Sequence, residues 1–230
     1  MSEAAEKNIR NLIEKKGFQF RDFMGGFEVR AKDETSEKLL VEGTPVVFES
    51  ETELFRDGNN VYLEIIDKDA FKNCDMSDVI FNMNHGGRVY ARTRNNSLRL
   101  DLKEDCLKME AELWADDEGH KEFHRDIERG NLDKMSFAFT IKEDSYTNEE
   151  KDGEKRHIRR IKEIDHLYDV SAVDIPAYNA TSISARAGFL AESEKHAAES
   201  KKAESRKRAE QLKRRIILDT LKRKRQGEHE

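Results

Sequence analysis

The sequence predicts a mainly β fold of the α+β class, and three features of the chain predict it. Short segments rich in β-branched and aromatic residues follow one another along the chain: FEVRAK, KLLVEGTPVVF, NVYLEII, DVIFNM, RVYARTRN, SLRLDLKED, CLKMEAELW, KMSFAFTIKED and RHIRRIKEIDHLYDVSAVDI. Turn signals such as Asp57-Gly58-Asn59-Asn60 and Asp152-Gly153 separate several of them. Only one stretch inside this zone, DDEGHKEFHRDIERGNLD, has helical spacing, with Phe123 and Ile127 on one stripe and Gly130 as the stop. SLRLDLKEDCLKMEAELW alternates apolar and polar residues on both sides of Lys103-Glu104-Asp105 and predicts a hairpin. Many short, evenly spaced strands favour a barrel or a sandwich over a parallel sheet.

Three zones divide the 230 residues. Residues 1–17 read as a charged helical segment with a narrow stripe of Ile9, Leu12 and Ile13. Residues 18–186 form the β domain. Residues 187–230 are rich in Ala, Glu, Lys and Arg and read as a charged tail, helical or disordered. From Leu190 to Glu230 there are 13 Lys+Arg and 8 Asp+Glu, a local net of +5. The whole chain carries −6, so the rest carries −11. An acidic body is a poor ligand for phosphate, so no specific nucleic-acid partner is expected. Cys74 and Cys106 stand far apart in no metal-like spacing and suit a reducing compartment. No apolar run reaches membrane-spanning length and the first residues lack a signal-peptide core, so a soluble, intracellular protein without a membrane partner is expected.

Four places have side chains suited to chemistry. In KMSFAFTI, strict alternation puts Met135, Phe137, Phe139 and Ile141 on one face and Ser136, Ala138 and Thr140 on the other. The small neighbours leave room above the Ser136 hydroxyl, although an ordinary strand serine fits the same pattern. In FNMNHGGRVYAR, His85 ends an apolar strand before Gly86-Gly87, where an imidazole can face a cleft as a general base; an ordinary turn histidine fits there too. In HLYDVSAVDIPAY, Asp169 sits among apolar strand residues, with Leu167 and Val173 expected on its own face. A carboxylate there needs a partner. That partner is either an imidazole N–H, in a Ser–His–acid relay, or an arginine such as Arg159 or Arg160; His166 and Asp174 compete with Asp169 for the relay role. His120 and His124 share a helix face at metal-ligand spacing, but Lys121 stands where the H-E-x-x-H motif needs Glu, so no metal is expected.

These segments, in order over about residues 28–186, resemble the prohead serine proteases of tailed bacteriophages. LLVEGTPVVFESE looks like the family's opening strand and LEIIDKDAFKN like its next segment. DVIFNMNHGGRVYARTRNNSLRL is similar to its Asn-His block, DKMSFAFTI to its Met-Ser-Phe-Gly-Phe strand, and LYDVSAVDIPAYNATSISAR to its closing block. The resemblance implies an assemblin-like fold, as in the herpesvirus maturation proteases: a closed or semi-closed antiparallel β-barrel with flanking helices. It puts the base at His85, the nucleophile at Ser136 and the third member at Asp169, with His166 as the alternative. The family usually has Asp where Gly86 stands and Glu where Asp169 stands. The turn Ala177, Tyr178, Asn179 and Ala180 after Pro176 is the candidate source of oxyanion donors. The implied activity is serine endopeptidase cleavage of scaffold, of capsid-protein scaffolding segments and of the chain itself. It needs no cofactor and takes place inside the assembling prohead in the host cytoplasm. The major capsid protein and the scaffold are the implied partners, and a homodimer is allowed. The alternative is a catalytically inactive assembly or scaffolding protein that keeps the protease fold.

Overall fold

In a computed structural model, residues 19–23, 27–29, 38–174, 189, 193–196, 198–199 and 201–215 are described. The chain divides into two compact units, Met1–Ser182 and Ile183–Glu230. In the first unit the strands are β1 (Gln19–Phe23), β2 (Phe27–Val29), β3 (Lys38–Val47), β4 (Thr52–Asp57), β5 (Asn60–Ile66), β6 (Ile80–Met83), β7 (Gly86–Arg92), β8 (Leu98–Leu102) and β9 (Cys106–Trp114). Among the described residues of this unit a single α-helix, α1 (Glu118–Glu128), precedes the two longest strands, β10 (Lys134–Lys151) and β11 (Glu154–Val173).

Local turn chemistry explains the hairpins. Asp152 and Gly153 both have positive φ, 53° and 79°, and fold β10 back on β11. Gly58, at φ 57°, does the same between β4 and β5. The predicted hairpin at Lys103-Glu104-Asp105 joins β8 to β9. Helix α1 starts where the Asp117 carboxylate accepts the His120 N–H at 3.1 Å and stops before Gly130, whose φ is 75°.

The strands form a seven-stranded and a four-stranded sheet. The small sheet runs β2-β3-β9-β8, all antiparallel. In the large one β11 is central. One edge takes β10; the other is shared by β5, on residues 155–161, and β6, on residues 169–172, both parallel to it. Between them the loop after β5 supplies the missing partners: Ile164 N–H donates to the Ala70 carbonyl and Leu167 N–H to the Asp75 carbonyl, at 2.8 and 3.0 Å.

The expected closed or semi-closed antiparallel barrel is therefore corrected. Among the described residues the two sheets do not close on each other, and β11 makes the larger sheet mixed. Two strands divide one edge of β11, so the sheet branches instead of curling to meet itself. At its far side β4 carries Glu53, Arg56 and Asp57, a charged edge of the kind that discourages further pairing. The mainly β class stands. The predicted helix at residues 1–17 lies outside the described residues. In the second unit, residues 201–215 are helical and exposed, with an Arg214–Glu210 ion pair at 2.9 Å.

One core joins the sheets: Val41, Leu107, Met109 and Leu113 from the small sheet pack with Phe81, Phe137, Phe139 and Leu167 from the large one. Gly43 of β3 lies close against Met135 of β10. A Cβ there would lie 2.5 Å from the Met135 sulfur, next to Ser136 in sequence. Overpacking at such a contact costs about 1–3 kcal/mol. Gly43→Ala should lower the urea midpoint accordingly, with an unchanged m-value.

His120 gives the fold a pH dependence. Its Nδ1 accepts the Trp114 N–H at 3.0 Å, which requires an unprotonated nitrogen. Burial, aided by nearby Arg88, lowers its pKa below the ordinary imidazole value. The unfolded chain then binds a proton that the folded chain refuses, so this stability is full above about pH 6.5 and is lost as pH falls towards the lowered value. Thermal melts across this window should show a slope with pH that His120→Gln flattens.

Candidate active site

The site begins with a turn. β6 and β7 are joined by Asn84 and His85 alone, with Met83 opposite Gly86. Both turn residues have positive φ, 52° and 55°, as a type I′ hairpin requires. Asn and His accept this left-handed conformation better than most side chains. The turn is anchored to β11: Asn84 N–H donates to the Ala172 carbonyl at 3.0 Å, and the Asp174 N–H to Asn84 Oδ1 at 3.4 Å. His85 N–H donates to Ser171 Oγ at 2.9 Å, and the Ser171 hydroxyl donates in turn to Asn82 Oδ1.

Register puts the remaining groups beside the turn. Ser136 pairs with Ser171, and Ala138 with Asp169, across β10 and β11. Asp169 and Ser171 then pair with Ile80 and Asn82 of β6. Opposed residues in a sheet share a face, so Ser136, Asp169, Ser171 and Asn82 all point the same way. His85 completes the set. Its Nε2 lies 2.6 Å from Ser136 Oγ and its Nδ1 lies 2.8 Å from Asp169 Oδ1.

All three side chains are withdrawn from water; Ser136 has no exposed surface and the His85 side chain keeps 6%. The Asp169 carboxylate needs a hydrogen-bonding partner at such depth, and the imidazole is that partner. Arg159 and Arg160, the other predicted partners, are engaged elsewhere: Arg159 with Asp144 at 2.7 Å, Arg160 with Glu49 at 2.7 Å. With the imidazole proton on Nδ1 and directed at Asp169, Nε2 can take the hydroxyl proton of Ser136. That hydroxyl has a second acceptor, the Arg21 carbonyl of β1, at 3.0 Å.

One expectation about Asp169 is corrected. Strict alternation puts Leu167 on its face, but the register shifts between Ala138 and Phe139, so Leu167 pairs with Phe139. A bulge at Tyr168 turns Leu167 into the core and leaves Asp169 among polar groups. His166 lies outside the cluster: its Nδ1 is 3.3 Å from Asp75 Oδ2 and its ring stacks on Tyr168. Ala177, Tyr178, Asn179 and Ala180 lie outside the described residues. Gly86, where the family usually has Asp, follows the turn, and a Cβ there would meet only the Asn84 carbonyl oxygen, at 3.9 Å.

Sequence reasoning missed Ser171, Asn82 and Arg21. Period-two counting from Asp169 reaches Ser171, but nothing local says that its hydroxyl holds the His85 backbone. His120 takes its own role in α1, and among the described residues no three or more His, Cys, Asp or Glu gather as a metal-binding group.

Neither a curated protein nor a solved structure matches the chain. The family model of the caudovirus prohead serine protease matches residues 26–196, a span that holds Asn82, His85, Ser136, Asp169 and Ser171. With that match over most of its length, the chain belongs to the caudovirus prohead serine protease family.

Proposed function

We propose that the chain is a serine endopeptidase that cleaves scaffold, the scaffolding segment of the major capsid protein and itself during prohead maturation. Its place of action is the assembling prohead in the host cytoplasm. One observation carries the reading: a serine, a histidine and an aspartate meet at 2.6 and 2.8 Å on one buried sheet face.

Ser136 Oγ attacks the scissile carbonyl carbon while His85 Nε2 takes its proton. The same proton passes to the leaving amine, and the acyl group stays on Ser136 as an ester. Water, deprotonated by His85, hydrolyses that ester and restores the serine. Asp169 holds the tautomer with the proton on Nδ1 and balances the imidazolium formed in each half-reaction. Ser171 and Asn82 are positioning residues: they fix the His85 backbone, and with it the ring.

The +5 tail is proposed to dock the enzyme in the prohead interior. Deleting residues from Leu190 onward should leave peptide cleavage intact and abolish packaging; unchanged packaging would overturn that role.

Co-expression with the cognate capsid protein tests the relay. Ser136→Ala and His85→Ala should abolish processing, a loss of about 10⁶-fold in rate. Processing that persists in both would overturn the assignment. Asp169→Asn should fold normally and lose roughly 10³–10⁴-fold in kcat, because the amide no longer holds the productive tautomer.

A further inference from the structure

β1 occupies the sheet edge beside Ser136. It runs antiparallel to β10, with Asp22 opposite Ser136 and Arg21 opposite Phe137. The Arg21 carbonyl oxygen is 3.0 Å from Ser136 Oγ, so the Arg21–Asp22 peptide unit is the one that meets the hydroxyl. Adding an extended strand to a sheet edge is a general mode of peptide binding, in which main-chain pairing gives affinity and side-chain pockets give selectivity.

The Arg21 side chain has such a pocket. Its Nε and Nη2 reach the two carboxylate oxygens of Glu64 on β5, the second at 2.7 Å, in a two-pronged pair. The Phe139 ring lies 5.8 Å from the guanidinium carbon. Glu64 is only 3% exposed, and a carboxylate at that depth is costly without a cation. Arg159 stands 3.8 Å from it but is itself bonded to Asp144 at 2.7 Å. The close, bidentate partner of Glu64 is the one that β1 brings.

We propose that Glu64 selects arginine at the residue whose carbonyl faces Ser136, and that Arg21–Asp22 is the chain's own cleavage site. The proposal rests on the protease reading above. Ser136 Oγ bonds to the Arg21 carbonyl carbon as its proton moves to His85 Nε2. The bond to the Asp22 nitrogen breaks, and that nitrogen leaves with the proton as a free amine. Water then releases Arg21 as a carboxylate. Loss of residues 1–21 clears this stretch of the β10 edge for the next extended chain, and Glu64 is left to receive its arginine.

Intact-mass spectrometry of the purified full chain over time tests the proposal. The wild type should lose residues 1–21 and Ser136→Ala should not. Arg21→Ala and Glu64→Gln should each slow this cut by at least roughly a hundredfold, and Arg21→Lys, which keeps charge without the fork, by less. The Arg21 variants leave Glu64 untouched and decide the matter if Glu64→Gln fails to fold. Cleavage at another bond, or a wild-type rate in Arg21→Ala, overturns the proposal. So does an intact Arg21–Asp22 bond in protein that still processes the capsid protein, an outcome that leaves the protease reading standing. If capsid processing and reaction of Ser136 with a serine-directed phosphonate both fail, the protease reading falls, and this one with it.

Discussion

The central constraint is that β11 is paired along both edges over most of its length. Its inner residues Ile161, Ile164, Leu167, Val170 and Ala172 build the core, while Asp169 and Ser171 on the opposite face reach the site. Ser136 is aligned because β10 is in register with β11, and His85 because its turn is bonded to β11 through Ala172 and Ser171. The relay distances are therefore consequences of strand register. A one-residue slip of β10 would turn Ser136 into the core and present Met135 or Phe137 to the imidazole.

What was legible in the sequence was local. Asp152-Gly153 and the residues around Gly58 code for turns through backbone conformation, and Gly130 ends a helix, so the β10–β11 turn, the turn before β5 and α1 could be read directly, whereas β4, the charged segment TELFRD, could not. The alternation around Ser136 gave its face. The pairing of β1 with β10, and of β5 and β6 with β11, depends on contacts between distant segments that no local period records. The barrel expectation failed for that reason. The face of Leu167 failed for a smaller one: a single bulge at Tyr168 reverses the alternation without any glycine or proline to announce it.

At the site, the three side chains that meet, Ser136, His85 and Asp169, could be nominated from sequence because few residue types suit such chemistry. Their supports could not. Ser171 and Asn82 are ordinary polar residues whose importance comes from what they touch, and Arg21 contributes a backbone carbonyl that any residue would provide. Glu64 lay hidden in the apolar run NVYLEII, where a lone acid reads as an outward-facing strand position; it is instead buried among arginines.

The turn that carries His85 has an evolutionary consequence. Two adjacent residues with positive φ favour Asn-Gly, and a side chain at the second position costs about 1 kcal/mol relative to glycine. Selection for stability alone would drift Asn84-His85 towards Asn-Gly. A lineage that no longer used the imidazole would gain stability by losing it, so a histidine at this position is a standing expense that only continued use of the ring would maintain.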